Sequence, residues 1–387
     1  MTWHCAKLSE VADIERDAIV SEAIETGTRY LGLEHIEAGG KILGSATVNA
    51  GDIASTKFRF TSRHVLYGKL RPYLAKIATP DFAGICSTDI LPIMPGPRLD
   101  RSFLTHYLRQ PSMIEFANSR TTGANLPRLS PKALADFDIP LPPLGEQKRI
   151  AAILDQADEL RCKRQCALYR LNQLGQSIFH EMFGDPASNP KGFDAKPLGD
   201  VIEFIGGSQP AKSNFLYEPG PDRVRFVQIR DFRTDKYPTY VPKALAKRPF
   251  DEDDVMIGRY GPPVFQIFRG LSGTYNVALM KAKPRRNLTS DFVFYLLQEP
   301  TLHKYVVANS ERTAGQSGVN LELLEKYPAF EPPTPLLKAF SERIGKLNAL
   351  LFAARSAAEQ SNTLFASLQH RAFRGELTAS SLKEAAA

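Results

Sequence analysis

Residues about 190 apart keep matching along almost the whole of this 387-residue chain. Val65-Leu66-Tyr67-Gly68-Lys69-Leu70-Arg71-Pro72 returns as Val255-Met256-Ile257-Gly258-Arg259-Tyr260-Gly261-Pro262. Leu8 and Val11 return as Leu198 and Val201, and Ser177, His180 and Phe183 as Ser367, His370 and Phe373. Arg120-Thr121-Thr122-Gly123 returns as Arg312-Thr313-Ala314-Gly315, with the offset drifted to 192. Self-similarity at a fixed period means two copies of one structural unit. A doubled unit in one chain imitates a twofold dimer. Its natural partner has two separate, different half-sites.

Each copy reads as a mixed part followed by a long helix. Pro140-Leu141-Pro142-Pro143 stops the first mixed part, because proline blocks both helix continuation and sheet pairing. Positions 150, 153, 157, 160, 164, 167, 171, 174 and 178 then carry Ile, Ile, Ala, Leu, Arg, Ala, Leu, Leu and Ile. That alternating 3 and 4 spacing is a coiled-coil seam. After Pro332-Pro333-Thr334-Pro335, Phe340, Ile344, Leu347, Leu351, Ala354, Ala358, Ser361, Phe365, Leu368 and Ala372 form a second seam. Neither helix buries its stripe alone. The copies are related like a twofold pair, so the expected solution is an antiparallel pair of helices, a rod of roughly 55 Å, with a globular module near each end. The modules read as α/β or α+β. Strands are predicted over 64–70, 89–94, 224–229, 254–260, 264–268 and 275–281, and helices over 102–118 and 291–309.

Composition excludes more than it identifies. No apolar run approaches the ~20 residues that span a bilayer, and residues 1–7 lack the charged-then-apolar layout of a secretion signal. The expectation is a cytoplasmic protein without a membrane partner. Cys162 and Cys166, one helical turn apart, read as small buried helix residues, since no second ligand pair accompanies them; no metal site is expected. The net charge of +7 favours a polyanion only weakly. Residues 1–144 hold 16 basic and 15 acidic groups, and residues 185–334 hold 20 and 18. Any grip on nucleic acid has to come from local arrangement or from a more basic partner.

No phosphate loop, GxSxG or HExxH occurs, and Gly261-Pro262-Pro263-Val264 lacks the amide or acid that amino-methyltransferases place before Pro-Pro. Three patterns read as recognition surface instead. Lys69, Arg71 and Tyr73, with Arg259 and Tyr260, follow a glycine at a strand end. Arg120, Asn125 and Arg128, with Arg312, Gln316 and Asn320, lie in loops rich in small residues and amides. Arg230 follows a predicted strand. Lys and Arg reach phosphates, Arg pairs with guanine edges, and Asn or Gln with adenine. The bland alternative is a set of ordinary strand-end turns with solvated cations.

Ile139-Pro140-Leu141-Pro142-Pro143-Leu144-Gly145-Glu146-Gln147-Lys148-Arg149-Ile150 resembles the start of the first spacer helix in the specificity (S) subunits of Type I restriction–modification systems. Leu66 to Leu74 resembles a recurring segment of their target recognition domains, and Phe373-Arg374-Gly375-Glu376-Leu377 their usual ending. The second helix start departs, because Pro332 to Leu337 lacks the Glu-Gln. The resemblance implies target recognition domains at 1–144 and 185–334, spacer helices at 145–184 and 335–377, and a tail at 378–387. It implies a non-catalytic subunit that reads a bipartite, asymmetric site on double-stranded DNA. It further implies two modification (M) subunits carrying S-adenosylmethionine and restriction (R) subunits using ATP and Mg, with no cofactor in this chain. The subunit-interface candidates on the helices are Glu146, Gln147, Ile150, Leu154, Phe340, Ile344 and Phe373. The competing expectation is a scaffold or regulator that binds M subunits without reading DNA.

Overall fold

A computed structural model describes residues 3–49, 51–261, 263–313 and 316–377, with the backbone alone at 311–313, 316 and 317. The expected tail at 378–387 lies outside the described residues. The chain divides into two compact units, residues 1–165 with 356–387, and residues 166–355.

The first unit contains a four-stranded antiparallel sheet in the order Ala12–Ile14, Ile90–Pro95, Val65–Gly68, Ile77–Ala78. Beside it is a five-stranded sheet, Ala18–Ile19, Lys57–Phe60, Gly84–Cys86, Thr28–Leu31, Ala46–Val48, with a parallel pairing of Tyr30 with Ile85. Cys5–Lys7 pairs with Asp138–Pro140 and closes the module on itself.

The second unit repeats this plan. Its four-stranded sheet runs Ile202–Gly206, Leu279–Pro284, Val255–Gly258, Gln266–Phe268. Its other sheet runs Pro249–Phe250, Gly273–Tyr275, Arg223–Val227, Tyr240–Pro242, with Phe226 parallel to Thr274. Asp194–Pro197 closes on Pro328–Glu331. Even single bonds recur: Leu8 N–H donates to Phe137 O, and Leu198 N–H to Tyr327 O, both at 2.8 Å. The repeat in the sequence is a repeat of fold, and the class is mixed α and β with two long helices.

Those helices are Leu144–Phe183 and Thr334–Phe373. In the first unit, Arg161 stacks 4.8 Å over Phe365, and Arg164 Nη1 donates to Ala357 O at 2.9 Å and also to Ser361 Oγ. Contacts that rise along one helix and fall along the other make the pair antiparallel. In the second unit, Phe179 and Phe183 meet Phe340 at ring distances of 5.9 and 5.1 Å. The seam of the second helix follows the expected positions. That of the first does so at Ile150, Ala157, Arg164, Leu171 and Ile178, but its alternate positions shift by one residue. Leu154, Arg161, Leu168 and Gly175 face inward, while Leu160, Ala167 and Leu174 are exposed. Arg161 is accommodated by its ring and by Asp158, and Gly175 by Tyr295, whose ring fills the space a Cβ would need. A polarity pattern cannot see either substitution.

Other expectations are corrected too. The helix expected over 102–118 is two, Arg101–Leu108 and Pro111–Ser119, and that over 291–309 is Ser290–Leu296 and Pro300–Ala308. Pro111 and Pro300 start new helices because proline fits the first turn and not the interior. The strand expected over 275–281 breaks at a turn, leaving Gly273–Tyr275 and Leu279–Pro284. Cys162 and Cys166 are exposed, not buried. Among the described residues, no helix is long and apolar enough to cross a membrane, and no group of His, Cys, Asp and Glu is placed to hold a metal ion.

Candidate nucleic-acid interface

The strand Val65–Gly68 ends where Gly68 runs close to the main chain of Lys76, leaving little room for a side chain. The chain then meets the loop 120–129, some 50 residues on. Leu70 bridges to Arg128, Leu129 N–H donates to Lys69 O at 2.9 Å, and Arg71 N–H donates to Pro127 O at 2.8 Å. Thr122 and Arg128 exchange both main-chain bonds, at 3.0 and 2.9 Å, and so close the loop. The two patterns singled out in the first copy are therefore one surface.

Lys69 and Arg128 converge there on a residue outside both patterns. Asp89 Oδ1 lies 3.8 Å from Lys69 Nζ and 3.2 Å from Arg128 Nε. Arg71 is exposed, in the left-handed region at φ 52°, and among the described residues its guanidinium has no partner. A non-glycine residue pays for that backbone in strain, which is retained where the side chain is needed. Tyr73 and Asn125 are exposed. Arg120 lies over the Phe116 ring at 3.5 Å, so its direction is fixed by stacking.

The second unit repeats the frame. Tyr260 bridges to Gly318, and Val319 N–H donates to Arg259 O at 3.0 Å. The Tyr260 ring comes within 3.0 Å of where a Cβ on Gly318 would sit. Arg259 is half-buried; among the described residues its Nε has no hydrogen-bond partner, and its guanidinium is 5.3 Å from the Tyr260 ring. Asn276 Oδ1 in the neighbouring turn is buried and likewise without a partner among the described residues. Arg230 belongs to the turn Ile229–Phe232, whose Ile229 reaches towards Gly258. It lies 3.7 Å from Asp231, whose carboxyl is pushed up by burial against the bond from Gln228 N–H. The side chains of Arg312 and Gln316 lie outside the described residues; their backbones form the hairpin Glu311–Thr313 with Gln316–Gly318. Asn320 is employed otherwise. Its Oδ1 accepts Leu323 N–H at 3.2 Å and caps the helix Leu321–Glu325, as Ser130 caps Pro131–Ala135 in the first unit.

The helix candidates hold their own units together. Gln147, 1% exposed, accepts Asp100 N–H at 2.8 Å and donates to Arg98 O and Pro142 O, each at 2.9 Å. Ile150 and Leu154 belong to the first unit's core, and Phe340 and Ile344 to the second's. Phe373 packs on Phe103 and Tyr107. Gln147, Ile150, Leu154, Phe340 and Ile344 are therefore buried inside their own units, and Phe373 is half-buried. Glu146, paired with Arg149 at 2.9 Å, stands at the edge. The sequence missed Asp89 and Asn276 because neither lies in a recurring motif, and only tertiary pairing brings them to the loops.

Residues 1–165 match the family model of the Type I restriction modification DNA specificity domain. The first module is thus similar to the DNA specificity domain of that family. The chain is 32% identical over 186 residues to the Type I restriction enzyme EcoDI specificity subunit of Escherichia coli, a match covering 47% of the chain and 41% of that relative. The chain thus spans about two fifths of the length of that relative. Two solved structures align along nearly the full length. One is the Type I restriction–modification S subunit from M. genitalium, with TM-score 0.61, 13% identity and 96% of each chain covered. The other belongs to a study of complex assembly and conformational transition of the type I R-M system, with TM-score 0.58, 23% identity, and 97% of this chain and 98% of that one covered. At these identities the likeness is one of fold.

Proposed function

We propose that this chain is the DNA-recognition subunit of a Type I restriction–modification complex. Each module binds one half of a bipartite, asymmetric site on double-stranded DNA, and the long helices set the spacing and carry two M subunits. The chain supplies recognition and no chemistry. S-adenosylmethionine belongs to the M subunits, and ATP and Mg to R subunits that join them. The observation that carries this reading is the loop pair built twice on one backbone plan with different side chains. Lys69, Arg71 and Arg128 stand on one copy, and Arg259 and Tyr260 on the other. Main-chain bonds fix the loops, which leaves the side chains to address base edges and phosphates. A small net charge fits a subunit that shares its grip on phosphates with partners. The helices also leave Leu160, Tyr169, Leu174, Leu350, Phe352 and Leu364 exposed. Apolar surface of this kind on a helix is covered by partner helices, and these residues take the place of the buried seam as docking candidates.

The test is genome-wide adenine methylation with and without the gene, in a host expressing the M subunit. The expected outcome is loss of methylation at one split, asymmetric motif. Methylation that persists at that motif without this chain overturns the reading.

A further inference from the structure

The first module places one carboxylate between two cations. Beyond the contacts of Asp89 Oδ1 with Lys69 Nζ and Arg128 Nε, Arg128 Nη2 reaches Asp89 Oδ2 at 3.5 Å. The guanidinium therefore faces the carboxylate with two nitrogens. Three segments meet at Asp89: the end of the strand Val65–Gly68, the turn before Ile90–Pro95, and the loop 120–129.

The second module is an internal control. The matching segments meet through the same main-chain bonds. Lys69 N–H donates to Asp89 O and Arg259 N–H to Ala278 O, both at 2.9 Å. Ile90 N–H donates to Ser87 O at 2.9 Å, and Leu279 N–H to Asn276 O at 3.0 Å. Where the first module has Lys69, Asp89 and Arg128, the second has Arg259, Ala278 and Gly318. A loop pair of this geometry is thus built without the carboxylate. What Asp89 adds acts on side chains. Two free cations on flexible stems would reach for phosphates, which position a protein and carry no sequence information. Anchored on one carboxylate, they keep fixed directions, and Arg128 still has N–H groups to offer a base edge. Among the described residues, no carboxylate pairs with Arg259.

We infer that Asp89 is a positioning residue of the first module, holding Lys69 and Arg128 as one recognition unit, while the second module, with Ala278 at the matching position, reads with Arg259 without this carboxylate. This rests on the DNA-recognition reading above.

The test uses the full chain assembled with its M subunits, in a host whose adenine methylation is sequenced. Asp89→Asn keeps the shape and removes the charge. Asp89→Ala copies the residue that the second module tolerates. Both are expected to lower base preference about tenfold at one or more positions of one half-site, with the other half-site unchanged. Binding of the assembled complex to DNA lacking the motif should fall more steeply with salt, because two released cations now engage phosphates. Asp89→Glu should restore the preference. An unaltered motif in both variants overturns the inference. So does an equal loss of methylation at every site with no change of motif, which is the mark of a merely structural role. A wild-type protein that directs no split motif overturns the DNA-recognition reading itself; a split wild-type motif with unaltered variants overturns the positioning role alone.

Discussion

The two modules share a backbone plan and little else, and where they differ shows what the plan demands. Arg71 at φ 52° stands where the second module has Gly261 at φ 97°, and Ala75 at φ 48° where it has Phe265 at φ 61°. The left-handed turn is required, and the residue that makes it is free. His64 Nδ1 accepts Thr61 N–H at 2.9 Å, and Asp254 Oδ2 accepts Asp251 N–H at 2.9 Å. An acceptor is required, and an imidazole or a carboxylate supplies it. The outer contacts then diverge. With Nδ1 accepting, His64 carries its proton on Nε2 and donates it to Glu15 at 2.8 Å, whereas Asp254 takes Lys281 at 3.1 Å. Packing follows the same logic. On the long helices, Gly175 faces Tyr295 in the second unit; Phe365 and His106 occupy the matching positions in the first, with ring centres 6.2 Å apart. A tyrosine over a glycine has become a phenylalanine beside an imidazole.

The largest expected effect tests whether the units are separate in stability as well as in plan. Phe340 is fully buried against Phe179, Phe183 and Tyr295. Phe340→Ala should cost about 3–5 kcal/mol. Calorimetry should show the loss as an early melting of one unit. A single transition that shifts whole would mean that the shared helices make one cooperative body. Next comes the fit of Gly175 to Tyr295. Gly175→Val drives a side chain into Tyr295 and should cost about 1–3 kcal/mol. Tyr295→Ala, which removes the ring, should recover part of that loss in a double-mutant cycle measured by urea unfolding. Strict additivity would deny the compensation.

The repeat, the two long helices and the mixed class were legible in the sequence, because each follows from spacing and from prolines at fixed places. Half of the seam was not, since its alternate positions pass through Arg161 and Gly175, which only Phe365 and Tyr295 explain. The helix breaks at Pro111 and Pro300 were legible and were passed over. The loop pair was half legible: its motifs recur, but Asp89 has an alanine at its counterpart and carries no repeat signal. Gln147 sits in the segment most like the family's helix start, yet its bonds are internal, and resemblance alone does not separate a pin from a docking face.

Arg71 sharpens the comparison at the candidate interface. Arg71→Gly gives the first module the residue that the second uses at this turn. Relief of the left-handed backbone should raise stability by about 1 kcal/mol. Under the proposed function, the same change should weaken recognition of one half-site by about 1–3 kcal/mol, the range of a lost base contact. Thermal unfolding reads the first effect and binding of the assembled complex to variant sites reads the second. A destabilised variant with unaltered recognition would reverse both expectations.

The smallest effect is in the response to acid, where the units should oppose one another. Glu299 in the second unit is 2% exposed, and burial raises its carboxyl above the ordinary 4.5, against the hydrogen bond from Gln176 and the nearby His180. A raised acid favours the folded state while protonated. Its contribution is therefore full below 4.5 and is lost as pH rises through the raised value. Asp155 in the first unit is the converse. Burial acts to raise it, but hydrogen bonds from His106 at 2.7 Å and Ser102 at 2.9 Å hold it below the ordinary 3.8. Its contribution is present above 3.8 and lost as pH falls through the lowered value. Acidification from neutral should thus first stabilise the second unit and only later destabilise the first. Urea midpoints followed against pH should lose the early gain in Glu299→Gln and the late loss in Asp155→Asn. If the early gain survives in Glu299→Gln, another group of the second unit produces it. If the late loss survives in Asp155→Asn, the contact of His106 and Ser102 with this carboxylate is not what acid breaks.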